Sequence, residues 1–509
     1  MGAKRGLHVD ITALHQEVTG SCLYVSVHYA DERHVNFIVD CGLFQEAAYN
    51  HLNTEPFPFR GENVEFALIT HNHADHMGRL PMLVKSGFTG KIYMSEPTAK
   101  LLPIAIQNSY AIMKEEYKKL NKKPLYGDEE VEAVYNQTST RKYEDTMYID
   151  ENISITFFNN AHLVGASMIL VQISERGERS INILFTGDYK KTNLLKPASR
   201  LPEWVLRKQL TVVTESTYGT TKSSDVEHHF EADVEELVKQ RKNLLISATA
   251  QGRAQELLYI LKKMQEDGRL SPKVQIGLDG TLAHKYTELY RSGMLEVDKD
   301  KLDFLPRSFH KLSKDNREEF YANNMQKIIV CTSGMLDHGP AQIYLPRVLE
   351  RTDWAVYITC YCPETTFGYK LQHAKDGRIK LRGKEIKIKA KVYSTAEYSA
   401  HAKADEIEDF IKKFQNPVLV LLNHGDRNVS RQFALDLECD CVARRVEVLG
   451  LHTVRVANFG CVKVMGSKLK DTSKNFRNDK PKLSKKQVMK KRRGLKPKLR
   501  TYKKQGWRR

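Results

Sequence analysis

The stretch from Glu65 to Pro81, EFALITHNHADHMGRLP, decides how this chain is read. Its first half is an apolar run of strand length. Its second half, His71-Asn72-His73-Ala74-Asp75-His76, sets three imidazoles and a carboxylate within six residues. A strand that opens straight into a ligand-rich loop can hold a borderline cation such as zinc without a helix to set the spacing. The pattern can serve two adjacent ions, with His71 and His73 facing one and Asp75 with His76 facing the other. The bland reading is an exposed loop rich in histidine by chance, and the density of ligand types weighs against it.

Other ligand-type residues recur at the ends of apolar runs. Asp40 ends NFIVD, His162 follows SITFFNNA, Asp188 ends ILFTGD and His424 follows VLVLLN. A lone His or Asp after a strand is more often a turn or cap residue. Together with the cluster they supply donors for two closed metal shells. Two metals about 3.5–4 Å apart suit in-line hydrolysis of phosphodiesters.

The remainder of the chain reads as α/β. Its 509 residues exceed one compact core and predict two or three domains. Strand-like runs at 36–40, 65–71, 183–188, 210–215, 243–248, 274–278, 327–332, 354–361, 385–393 and 418–423 alternate with amphipathic stretches at 96–120, 226–240, 252–265 and 404–414. In 252–265, Leu257, Leu258, Ile260 and Leu261 form one apolar stripe opposite Lys262 and Lys263. Pro103 predicts a break in the helix at 96–120. The two prolines in 192–206 and the polar stretch 375–385 mark candidate boundaries.

Charge is unevenly distributed. Of a net +18, residues 461–509 carry all of it, with 20 Lys or Arg against Asp471 and Asp479. Such a segment is expected to be disordered alone and to seek a polyanion, most simply RNA. A solvated tail serving solubility is the plainer alternative. The longest apolar runs fall well short of the roughly 18 residues a membrane span needs. The N-terminus lacks the apolar stretch of a secretory signal, and Gly6 stands where myristoylation favours Ser or Thr. Eight cysteines without paired zinc-module spacing fit a reducing compartment. A cytoplasmic protein without a membrane partner is expected, a nuclear address being the alternative because basic tails also serve it.

The order of these motifs resembles the metallo-β-lactamase superfamily. His71–His76 is followed by Met-Gly-Arg-Leu-Pro, then by His162 and Asp188, with Asp40 upstream. Glu215-Ser-Thr-Tyr-Gly, Gly252-Arg-Ala-Gln-Glu256, Ser333-Gly-Met335, Ser399-Ala-His401 and Asn423-His-Gly-Asp426 resemble landmarks of its β-CASP branch. The likeness spans nearly all of residues 8–460 and is similar in kind to the pre-mRNA 3′-end-processing endonuclease and its prokaryotic homologues. It implies a four-layer αβ/βα sandwich over 1–205 and 385–460, interrupted by a β-CASP α/β domain over 206–384, with the basic tail over 461–509.

The resemblance also implies roles. His71, His73 and His162 would hold one zinc, Asp75, His76 and His424 the other, and Asp188 would bridge them, with Asp40 supporting by hydrogen bonds. A bridging water would become the hydroxide nucleophile, and His401 paired with Glu215 would be the general acid. Asp75 and Asp40 are thereby counted with the catalytic set. Manganese is the alternative metal, since the same N/O donors take either. Arg253, Ser333, Ser399 and His401 are nominated to bind substrate; for Arg253 the rival is a surface ion pair, and for Ser399 a helix cap. His284, His338, His228 and His229 are read as non-ligands. The segment Tyr361-Cys-Pro-Glu-Thr-Thr-Phe-Gly departs from the usual glycine-rich pattern beside the channel.

The sequence therefore reads as a zinc-dependent ribonuclease acting on RNA phosphodiesters. The alternatives are a β-CASP nuclease acting on DNA, a small-molecule esterase, and a non-catalytic metal-containing RNA- or ribosome-binding factor. A ligand-type residue at 424 favours RNA over DNA within the resemblance, because β-CASP DNA nucleases typically carry an apolar residue there.

Overall fold

The computed structural model describes residues 6–465 except 47, 363, 375, 441, 444 and 458–461. An eight-stranded sheet has the order Val462–Met465, Thr453–Ala457, His8–Ala13, Leu23–His28, His34–Val39, Phe66–Leu68, Lys91–Ser95 and Thr138–Arg141. A seven-stranded sheet runs Val446–Val448, Asn416–Asn423, Gln209–Glu215, Ile181–Phe185, Ser167–Ile173, Ile153–Asn159 and Thr146–Tyr148.

Alternation along the strands builds the layers. In Leu23–His28 the odd residues are buried and the even ones half-buried, which is the period of a strand with two unequal faces. The inward set, including Val9, Val25, Phe37 and Leu68, meets Ile155, Phe157, Ile183 and Leu421 of the other sheet in one core. On the outer face of the first sheet, Ile38, Ala67 and Ile92 pack against Leu102, Ala105 and Ile106 of the helix Glu96–Lys119. On the outer face of the second, Leu184, Val212 and Leu422 pack against Ile407 and Phe410 of Ala404–Ile411 and Phe433 of Arg427–Cys439. Helix, sheet, sheet, helix is the four-layer sandwich expected.

A third sheet is wholly parallel, in the order Phe309–Leu312, Gln275–Asp279, Lys327–Cys331, Asn243–Ser247, Trp354–Ile358, Lys391–Ser394. Parallel sheets need cover on both faces. Leu244 and Ile246 lie among the helices Phe230–Lys239, Arg253–Glu266 and Thr281–Arg291, while Leu245 faces Ala341–Val348 and Phe367–Gln372.

The structure shifts three sequence expectations. Glu96–Lys119 is one helix that continues through Pro103, with no break. Leu101, Leu102, Ala105 and Ile106 around the proline are all buried, and that packing offsets the missing N–H bond. Gln209–Glu215 pairs with Ile181–Phe185 and Asn416–Asn423, whereas Lys391–Ser394 edges the third sheet. Strand pairing thus carries the first sandwich segment through Glu215 and the third sheet through Ser394, about ten residues on from the expected bounds at 206 and 385. Val462–Met465 pairs with Thr453–Ala457, so the sandwich also reaches past residue 461. The remainder of the basic tail lies outside the described residues. Among those described, no helix is long and apolar enough to cross a membrane.

Candidate metal centre and catalytic cleft

Strand ends deliver nearly every donor. Asp40 follows His34–Val39, the histidine loop follows Phe66–Leu68, His162 follows Ile153–Asn159, Asp188 follows Ile181–Phe185 and His424 follows Asn416–Asn423. Three backbone positions here are left-handed without being glycine: Asp40 at φ 63°, Ala161 at φ 61° and His424 at φ 50°. Each costs about 1–2 kcal/mol and persists only where its surroundings over-determine it. At Gly42 a Cβ would stand 1.5 Å from the Asp75 carbonyl oxygen, so only glycine lets the 40–43 backbone lie against the donor loop. Cys41 N–H then donates to His76 O and Leu43 N–H to Ala74 O.

Two donor groups result. Ligand atoms of His71, His73, His162 and Asp188 all lie within 4.8 Å of one another, as do those of Asp75, His76 and His424. In the first group His162 Nε2 is 3.3 Å from His73 Nδ1, and Asp188 Oδ2 is 3.7 Å from both His71 Nε2 and His162 Nε2. In the second, His76 Nε2 and His424 Nε2 are 3.2 Å apart and Asp75 Oδ2 is 3.8 Å from His424 Nε2. Asp188 touches both groups, its Oδ2 at 3.2 Å from His76 Nε2 and its Oδ1 at 3.3 Å from His424 Nδ1.

The chemistry of these donors fits cations. His71 Nε2 and Asp188 Oδ1 are buried with no hydrogen-bond partner among the described residues, a cost of about 1–3 kcal/mol each if nothing meets them. The outward nitrogens are already used. His76 Nδ1–H donates to Asp40 Oδ2 at 2.8 Å and His162 Nδ1–H to the Ala400 carbonyl at 2.9 Å, which turns both Nε2 lone pairs inward. Asp40 is itself held by the Thr70 N–H at 2.8 Å and the Thr70 hydroxyl at 2.9 Å. Six nitrogen and carboxylate donors around a shared Asp188 suit a pair of borderline divalent ions.

The electrostatics agree. Burial drives the His71 and His162 imidazoles well below the ordinary histidine value and brings His73 to about 4, so these rings are neutral donors. Burial alone would raise Asp75 and Asp188. The neighbouring histidines outweigh it, holding Asp75 at about 2 and Asp188 well below the carboxylate range. His76 is raised against its burial by Asp188 and Asp40, the position a cation takes over from a proton.

A cleft of about 370 Å³ opens onto both groups and is lined by His73, Asp75, His162, Asp188, His401 and His424 among others. His401 Nδ1 lies 2.8 Å from Glu215 Oε2, and Glu215 Oε1 accepts the Tyr189 N–H at 2.6 Å. Glu215 is buried, whereas the His401 side chain keeps 21% exposure. The Glu215 charge and hydrogen bond raise the His401 pKa despite burial. Arg253 and Ser399 also line the cleft; Ser333 does not, although Met335 two residues on does. Arg253 is buried and donates to buried Glu256 at 3.1 Å, so it is not a surface ion pair. His284, His338, His228 and His229 fall outside the donor groups.

Family comparisons fall on the same segments. The Metallo-beta-lactamase superfamily domain matches residues 30–203, the Beta-Casp domain 254–371, and the Zn-dependent metallo-hydrolase RNA specificity domain 385–448. Together these spans cover more than half of the chain. This is a β-CASP member of the metallo-β-lactamase superfamily.

Relatives of this β-CASP chain carry names from RNA metabolism. A transcription termination factor FttA of Methanosarcina mazei is 27% identical over 477 residues, 88% of this chain and 72% of that protein. A ribonuclease of Thermus thermophilus is 28% identical over 429 residues, 81% of this chain and 91% of that protein. An RNase J-like protein of Methanocaldococcus jannaschii is 27% identical over 438 residues, 83% and 93% respectively. Several residues of the site were not nominated from the sequence: Asn72, Tyr218 and Gln251 line the cleft, and Thr70 holds Asp40 behind it. Thr70 and Asn72 carried a signal in their place beside His71, and Tyr218 in its place within Glu215-Ser-Thr-Tyr-Gly; Gln251 carried none.

Proposed function

We propose that the chain is a zinc-dependent ribonuclease that hydrolyses RNA phosphodiester bonds. The observation that carries this reading is one cleft faced by two donor groups sharing Asp188 and by the Glu215–His401 pair. In it His71, His73 and His162 would hold one metal and Asp75, His76 and His424 the second, with the Asp188 carboxylate within reach of both groups. Two such ions, when bound, supply an activated water and neutralise charge on the phosphate undergoing in-line displacement. Asp40 fixes the His76 ring, and the Ala400 carbonyl fixes His162. Glu215 keeps His401 protonated and oriented, so that its Nε2–H can be given to the leaving oxygen. Arg253 and Ser399 border the path of the strand.

The ribonuclease name of one relative and the RNA-specificity description of residues 385–448 support RNA over DNA. The name of the termination-factor relatives supports a second reading, a factor that binds RNA or the ribosome and keeps its metals for structure. Purified protein is incubated with end-labelled single-stranded RNA and matching DNA, with and without chelator. RNA cleavage that chelator abolishes supports the nuclease. Intact RNA with metal fully loaded supports the second reading, and cleavage confined to DNA sinks both.

A further inference from the structure

A second cavity, about 550 Å³, adjoins the cleft and shares Ser399, His401 and Glu256 with it. Four carboxylates line it, and each already has a partner. Glu256 accepts from Arg253 and Asn193, Glu231 pairs with Arg269, Glu406 accepts the Lys403 backbone N–H, and Glu397 accepts the N–H groups of His229 and Phe230.

Arg269 is thereby matched, but the two lysines of the lining are not. Lys403 is only 6% exposed, and its Nζ has no hydrogen-bond partner among the described residues. It rests 3.3 Å from the centroid of the Tyr218 ring, a cation–π contact that leaves its N–H donors unmet. The Lys190 ammonium lines the same cavity and likewise has no ion pair among the described residues. A buried ammonium is costly unless an anion meets it. Burial and the neighbouring Lys190 ammonium bring Lys403 down to about 8, outweighing the opposite charges of Glu406 and Glu215.

We propose that this cavity is a phosphate subsite: Lys403 and Lys190 hold a backbone phosphodiester of the RNA next to the scissile one, on the leaving-group side. The side follows from His401, which gives its proton to the leaving oxygen and forms part of both cavities. The inference rests on the ribonuclease reading. Two ammonium donors meeting one phosphate satisfy charge and hydrogen bonding together, and they fix the strand along the cleft before the bond is broken. Lys403 and Lys190 act through the neighbouring phosphate and not on the scissile one, so they are positioning residues.

The test uses RNA oligonucleotides carrying a neutral methylphosphonate at one of the three phosphates on the leaving-group side, cleaved by the full chain loaded with zinc. For wild type, one of these positions should raise KM by about tenfold, with kcat nearly unchanged, as expected for a contact made equally in ground and transition states. Lys403→Met keeps the stem under Tyr218 and should raise KM for the all-phosphate RNA while losing that methylphosphonate effect. Lys403→Arg should restore it, and Lys190→Met, at a less buried position, should behave as Lys403→Met does even if the latter folds poorly. A methylphosphonate penalty equally large in wild type and both Met variants overturns the subsite alone. Inhibition by inorganic phosphate that Lys403→Met removes, with no methylphosphonate effect at any position, assigns the cavity to free phosphate and overturns the RNA placement. Wild type that cleaves none of the RNAs overturns the ribonuclease reading itself.

Discussion

Asn72 and Gln251 form a closed amide pair: Asn72 Nδ2 donates to Gln251 Oε1 at 2.8 Å, and Gln251 Nε2 donates back to Asn72 Oδ1 at 2.9 Å. Both side chains are buried. Asn72 sits inside the donor loop of the sandwich, and Gln251 in the turn before Arg253–Glu266 of the inserted domain. The pair therefore ties the loop that carries the donor residues to the domain that forms the other wall of the cleft.

Gln251→Ala should leave the Asn72 amide unmatched, at about 1–3 kcal/mol. Metal content should stay at the wild-type level, because no donor is lost, while the melting temperature and the rate of RNA cleavage both fall. Unchanged melting and unchanged rate together would show that the two halves are held without this pair.

Elemental analysis should find two divalent ions per chain. Asp188→Ala should lose both, since its carboxylate touches both donor groups, and cleavage should vanish while far-UV circular dichroism is retained. His73→Ala should lose chiefly one ion with the same loss of activity. A fully active protein holding one ion or none would refute the paired arrangement.

His401 and His424 should separate cleanly. His401→Ala should keep its metals and lower turnover by roughly 10²–10⁴-fold, the range for a lost general acid. His424→Ala should lower occupancy instead. Metal lost from the first variant and kept by the second would reverse the two roles.

The Glu215–His401 pair predicts an alkaline limb in the pH–rate profile. A general acid works below its pKa, so the rate falls as pH rises through it. Glu215 raises that pKa, hence Glu215→Gln should move the limb to lower pH. A limb that stays in place, or moves upward, would remove Glu215 from this role.

Deleting residues 470–509 keeps the strand Val462–Met465 and every donor, but removes most of the excess positive charge. Each phosphate neutralised on a single strand contributes about −0.7 to the slope of log affinity against log salt. RNA affinity should drop and the slope become shallower, with turnover at saturating RNA unchanged. Identical slopes with and without the segment would assign it to something other than RNA.

The sequence by itself determined the parts of this protein that depend on neighbours along the chain. His71 through His76 are fixed by one strand and its loop, and the residues closing other apolar runs, Asp40, His162, Asp188 and His424, are legible because a strand end projects them into a loop. Alternation and amphipathic periods likewise announce the sheets and most helices. Only the tertiary structure decided what depends on packing between distant segments. Pro103 should break its helix on local grounds, yet burial of both flanks against a sheet outweighs one missing hydrogen bond. The third sheet takes Lys391–Ser394 because strand pairing is set by register between sheets, which composition does not encode. Ser333 matches a substrate-binding pattern but stands outside the cleft, whereas Lys403, an ordinary lysine in sequence, is buried against Tyr218 near the Glu215–His401 pair. A side chain's charge is written in the sequence. Whether that charge is met by water, a carboxylate or a ligand is settled only when residues far apart in the chain close around it.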